Sequence, residues 1–129
     1  MTPQMFYRRV LVEAGRPSLA DAKRVTGAVF HALRDRLTPA EADQAAAQLP
    51  RPLKLVWWQG EATGRRPVKM RRPAFYERVR SEAGLASERE TRQAIVAVFA
   101  ALKAQLSPGE ADDILTQLPR DLKSVWEDA

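Results

Sequence analysis

A 21-residue stretch, LTPAEADQAAAQLPRPLKLVW from Leu37 to Trp57, returns 69 positions later as LSPGEADDILTQLPRDLKSVW, Leu106 to Trp126. No gap is needed. The same offset carries Phe6-Tyr7 onto Phe75-Tyr76, Ala14-Gly15 onto Ala83-Gly84 and Ala28-Val29-Phe30 onto Ala97-Val98-Phe99. An internal duplication at fixed period means one supersecondary unit used twice. Each unit spans about 50 to 55 residues, a size at which a lone core is marginal. The two copies are therefore expected to bury surface against each other.

The unit reads as helical throughout. Phe6, Val10 and Ala14 recur every fourth residue and predict a first helix over about 2–14, ended by Gly15. Phe75, Val79, Ala83 and Gly84 repeat the device. Arg9 with Glu13 and Arg78 with Glu82 are spaced as surface pairs one turn apart. Ser18 and Ser87 open long second helices, and Ser87 with Glu90 has the form of a capping box. Val25, Val29 and Leu33 mark the inward face of one, and Ile95, Val98, Phe99 and Leu102 that of the other. Thr38-Pro39-Ala40-Glu41 and Ser107-Pro108-Gly109-Glu110 predict third-helix starts, with hydroxyl cap, proline in the first turn and glutamate reaching back. Leu49-Pro50 and Leu118-Pro119 end those helices. A short fourth helix follows, burying Leu53, Val56 and Trp57, or Leu122, Val125 and Trp126.

The fold expected is all-α: two tandem repeats of about four helices each, packed as a helical bundle with pseudo-two-fold symmetry. Residues 1–58 form helical repeat one, 59–73 a basic Gly/Pro linker and 74–129 helical repeat two, sharing one core. The linker is read as a loop that wraps the core through Val68 and Met70 or moves freely.

The series F-x-x-x-V-x-x-x-x-G, A-V-F-x-A-L and L-S-x-x-E-A-x-x-[IL]-x-x-Q-L-P resembles a bacterial family known only as domain of unknown function 2267. Phe75, Val79, Gly84, Val98, Phe99, Leu102, Leu106, Glu110, Ala111, Gln117, Leu118 and Pro119 carry it in the second copy. Phe6, Val10, Gly15, Val29, Phe30, Leu33, Leu37, Glu41, Ala42, Gln48, Leu49 and Pro50 carry it in the first. The resemblance implies tandem all-α copies and no established activity, and it leaves the basic linker unexplained.

Candidate chemistry is sparse. Glu41 with Asp43, and Glu110 with Asp112, lie two apart on a helix and point to different faces, so they read as first-turn acids favoured by the helix dipole. His31 is the sole histidine and Ala100 stands at its counterpart, so no catalytic or metal set is built around it. There is no cysteine, and no phosphate-cradling glycine loop. The expectation is no catalytic residue, no cofactor and no metal. Gln48 and Gln117 are expected to satisfy loose carbonyls at their own helix ends. Arg51, Lys54, Arg120 and Lys123 read as a solvated face. Trp58 lacks a counterpart and covers the core or meets a partner.

Net charge is +5, made of about +4 over residues 1–58, about +4 over 59–74 and about −3 over 75–129. A chain so polarised is suited to head-to-tail pairing, first copy against second. Arg65, Arg66, Lys69, Arg71 and Arg72 are the candidate polyanion contacts, with affinity falling as salt rises. No apolar run reaches the roughly 20 residues that span a bilayer. A soluble cytoplasmic protein without membrane contact is expected. Its role is read as a non-enzymatic interaction or scaffold module, with an unknown protein partner or self-association. Nucleic-acid or polyanion binding through the linker and basic first repeat is the alternative.

Overall fold

The computed structural model describes all 129 residues. It is all-helical: α1 (Pro3–Glu13), α2 (Leu19–Arg36), α3 (Pro39–Ala47), α4 (Arg51–Trp58), α5 (Arg72–Ala83), α6 (Glu88–Gln105), α7 (Pro108–Gln117) and α8 (Arg120–Asp128). The starts of α5 to α8 follow those of α1 to α4 by 69 residues in every case. Matching caps are the local cause. The hydroxyls of Ser18, Thr38, Ser87 and Ser107 accept from the backbone N–H three residues on, at 3.1 to 3.2 Å. Such a cap contributes about 1 kcal/mol. Gly15 (φ 61°) and Gly84 (φ 66°) turn the chain left-handed after α1 and α5. That geometry lets the next N–H reach back five residues, Arg16 to Leu11 and Leu85 to Arg80.

The packing crosses between the halves. Besides its own neighbour α2, α1 lies on α6, and α5 lies on both α6 and α2. One cluster of buried side chains therefore runs through both halves. Phe6, Phe30 and Trp57 form an aromatic file with ring centroids 5.7 and 5.5 Å apart. Phe75, Phe99 and Trp126 form its counterpart at 6.0 and 4.9 Å. All six rings are buried, at the edge-to-face or tilted angles that aromatic pairs prefer.

Residues 59–71 connect the halves without a helix, so α5 begins two residues earlier than the sequence boundary at 74 suggests. Met70 is buried, as an anchor should be. Val68 is not: its side chain is 43% exposed, and only its N–H is held, donating to the Asp35 carbonyl at 2.8 Å. The Arg78–Glu82 pair expected along α5 does not form either. Arg78 bonds Asp35 at 2.5 Å and Glu82 bonds His31 at 2.7 Å, both on α2. Those partners are partly buried, so they outcompete a solvated pair one turn away.

Gly27 lies buried inside α2, where the second half has Val96. An added Cβ would sit 3.6 Å from Val56 Cγ1 and 3.8 Å from His31 Cε1, both ordinary contacts. Gly27→Ala is expected to stabilise the protein by about 0.5 to 1 kcal/mol, chiefly by restricting the unfolded chain. Urea unfolding measures it, as a higher midpoint at unchanged slope.

Candidate functional site

Helices α3 and α7 pack against each other, so that the start of each lies beside the end of the other. Each start is held by a glutamine from the end of the other helix. Gln117 Oε1 accepts from the Thr38 N–H at 2.9 Å, and its Nε2 donates to the Thr38 hydroxyl at 3.3 Å. Gln48 Oε1 accepts from the Ser107 N–H at 2.7 Å, and its Nε2 donates to the Ser107 hydroxyl at 3.1 Å. The expectation that these glutamines serve their own helix ends is thus corrected. Sequence places Gln48 beside its own C-terminus, but the antiparallel approach of α3 and α7 puts a needier group, an unpaired N–H at the opposite N-cap, within reach.

Glu41 and Glu110 occupy the third position of their helices, where the capping-box pattern has them reach back to the cap. They do not. The glutamines already hold the N–H groups of Thr38 and Ser107, and the two carboxylates turn inward instead, 7% and 6% exposed. Oxygens of Glu41, Glu110 and Asp113 lie within 4.8 Å of one another. Asp43 and Asp112 are exposed and lie outside this cluster. The pairing that forms is between helices.

Two unit charges at that separation repel by roughly 3 kcal/mol at an effective dielectric of about 20, enough to hold back one ionisation. The Glu110 carboxyl is pushed up to about 8, first by burial, then by hydrogen bonding with Glu41 and by the charges of Glu41 and Asp113. Between its ordinary 4.5 and about 8 the folded chain then binds more protons than the unfolded one, so stability falls as pH rises through that window. Glu110→Gln keeps the shape and removes the titration. In urea unfolding with EDTA present, the wild type is expected to lose stability from pH 5 to pH 9 and the variant to lose markedly less; equal losses would contradict the pairing.

The five linker cations separate. Arg65 is drawn in: its guanidinium donates to the Leu37 and Arg34 carbonyls at 2.8 Å each, and it pairs with Glu61. It caps the end of α2, so it is not free for a polyanion. Arg66, Lys69, Arg71 and Arg72 are exposed. Arg71 and Arg72 share a surface groove of about 710 Å³ with Arg120 and Asp121, where α5 and α8 begin.

Two inward-reaching cations, one buried and one partly buried, were missed by sequence reasoning. Arg34, 2% exposed, donates to the Trp57 and Gln59 carbonyls at the end of α4, at 2.8 and 2.5 Å. Lys103, at the equivalent position of α6, donates to the Trp126 and Ala129 carbonyls at the end of α8, both at 2.9 Å. The available signal was a long cation at matched positions in otherwise apolar helical faces. Asp35 sits in this network. Burial alone would raise its carboxyl, but hydrogen bonds from Arg34 and Arg78, and their charges, leave it below the usual carboxylate range. His31 is used structurally, with Nδ1 on Glu82 and Nε2 on the Val56 carbonyl, both at 2.7 Å. Trp58 is half-buried against the core. No helix is long and apolar enough to cross a membrane.

Residues 4–125 match one protein family, described as Uncharacterized conserved protein (DUF2267). The match is a single span through both halves and the connection, not one match in each half as the two-copy resemblance implies. No curated protein matches the chain.

Proposed function

Because the chain belongs to the DUF2267 family, whose description assigns no activity, we propose from its geometry a non-enzymatic interaction module that assembles with further copies of itself. Within each copy, the two four-helix halves relate by an approximate two-fold axis. Supporting that relation are the reciprocal glutamine caps and the matched crossings of α1 on α6 and α5 on α2. A non-catalytic role is supported by the structural partners that the matched glutamines, the serine and threonine caps and the Arg34–Lys103 positions all have.

The observation that carries self-association is an asymmetry. Every large exposed apolar side chain, Met1, Met5, Val12, Leu19, Leu55 and Val68, lies in the first half or the connection. The offset places Ala74, Ser81, Glu88 and Ser124 where Met5, Val12, Leu19 and Leu55 stand. Leu19 lines a groove of about 470 Å³ with Tyr7, Arg8, Lys23 and Pro52. The matching place in the second half is a smaller groove of about 200 Å³ in which Arg72 and Arg80 stand beside Glu77 and Glu88. The groove of the first half is thus apolar and basic, while that of the second is polar, in a half whose net charge is about −3. Head-to-tail contact satisfies both, and such a contact leaves a free face at each end for further copies.

Sedimentation velocity over a range of concentrations tests this reading. Larger species are expected to grow with concentration, to diminish as salt screens the charges, and to be lost in Leu19→Glu. A monomer at every concentration, or association indifferent to Leu19→Glu, would overturn it.

A second reading, polyanion binding, is favoured by the meeting of Arg71, Arg72 and Arg120 in one groove, where Asp121 already takes the N–H of Arg72 and leaves the guanidinium groups as the anion contacts. It predicts binding of short labelled DNA or RNA that falls steeply with salt and is lost in a variant with Arg66, Arg71 and Arg72 replaced by Ala. Arg65→Ala is the wrong probe, because it removes the cap of α2. Salt-insensitive binding, or none at low salt, ends the reading.

A further inference from the structure

We propose that Glu41, Glu110 and Asp113 form a binding site for one hard divalent cation, held between α3 and α7. The geometry admits it. Hard cations bind oxygen at about 2.0 to 2.6 Å, so two oxygens on one ion stand up to about 5 Å apart. The three carboxylates bring oxygens within 4.8 Å of one another.

A cluster of acids alone would say little, but the two buried glutamates have no ion-pair partner or side-chain hydrogen-bond donor outside the cluster. Glu41 Oε1 and Glu110 Oε1 are buried and unpaired, on residues 7% and 6% exposed. None of the ion pairs in the chain involves either glutamate. The nearest backbone donors are already engaged, since the N–H groups of Glu41 and Glu110 go to the Thr38 and Ser107 hydroxyls. Leaving buried oxygens unpaired is costly. A single cation between the helices would pair both at once, taking the place of the proton they otherwise hold.

The donor set selects the ion class. It holds carboxylate oxygens and neither imidazole nor thiolate, which suits magnesium, calcium or manganese over zinc or copper. Asp113 is exposed. It gives the ion a route from solvent and leaves coordination positions for water. It also breaks the symmetry of the pair, because the equivalent residue of α3 is Gln44. Such an ion would tie the first half to the second where each glutamine already caps the other helix.

The test is calorimetric titration of the full chain, stripped with EDTA and dialysed, with manganese chloride and with calcium chloride. One saturable site per chain is expected, together with a higher melting temperature in the presence of the ion. Asp113→Asn should weaken binding by on the order of tenfold or more, since affinity follows the charge count of the ligands. Glu41→Gln should weaken it at least as much, and Asp112→Asn, an exposed acid on the same helix, should leave it unchanged. If Glu41→Gln fails to fold, Asp113→Asn at its exposed position decides. No saturable binding at millimolar ion, or equal binding by wild type and Asp113→Asn, would mean an adventitious ion only and overturn the proposal.

Discussion

Everything in this fold rests on an exchange of cover: α1 is packed on α6 and α5 on α2. Neither half closes its own core. The long helices α2 and α6 carry apolar residues on more of their circumference than one short neighbour hides, and the other half supplies the missing wall. Val25, Val29, Leu33, Ile95, Val98 and Leu102 are 0 or 1% exposed as a result. A unit of this size would otherwise lack the buried area to offset its chain entropy.

That exchange has an electrostatic consequence. Where the matching helices of the two halves meet, residues matched at the 69-position offset face each other. Glu41 and Glu110 are each unremarkable as first-turn acids on a helix dipole, yet across the α3–α7 contact they become a crowded pair. The same geometry turns Gln48 and Gln117 into mutual caps. A polar residue matched in both halves gains a new partner, favourable for a glutamine and a start of helix, unfavourable for two carboxylates. Away from the contact the halves differ, and there the exposed Met5, Val12, Leu19 and Leu55 of the first half are matched by Ala74, Ser81, Glu88 and Ser124 in the second.

Much of the fold was legible because its signals are local. Hydroxyl caps, Leu-Pro breaks and glycine stops lie within a few residues of the boundaries they set, so the eight helices followed from the text. The site was not legible, because its partners are far apart in sequence. Nothing near Glu41 reveals that Glu110 will meet it, and a capping-box pattern offers a plausible local role that competes with the true one. Arg65 misled for the same reason: in a run of cations it looks solvated, and only the returning end of α2 gives it carbonyls to bind. Tertiary contacts overrode the nearest-neighbour reading at each of these positions.

The most direct test of a core shared between halves is to unfold the chain while watching each half separately. One variant with Trp126→Phe keeps Trp57 and Trp58 as reporters of the first half, and another with Trp57→Phe and Trp58→Phe keeps Trp126 for the second. Within each variant, tryptophan fluorescence is followed through a urea titration alongside helical circular dichroism, which reports the whole chain. The account predicts one cooperative transition in each variant, with fluorescence and dichroism midpoints coinciding. Separate transitions, with one half still helical after the other has opened, would contradict it.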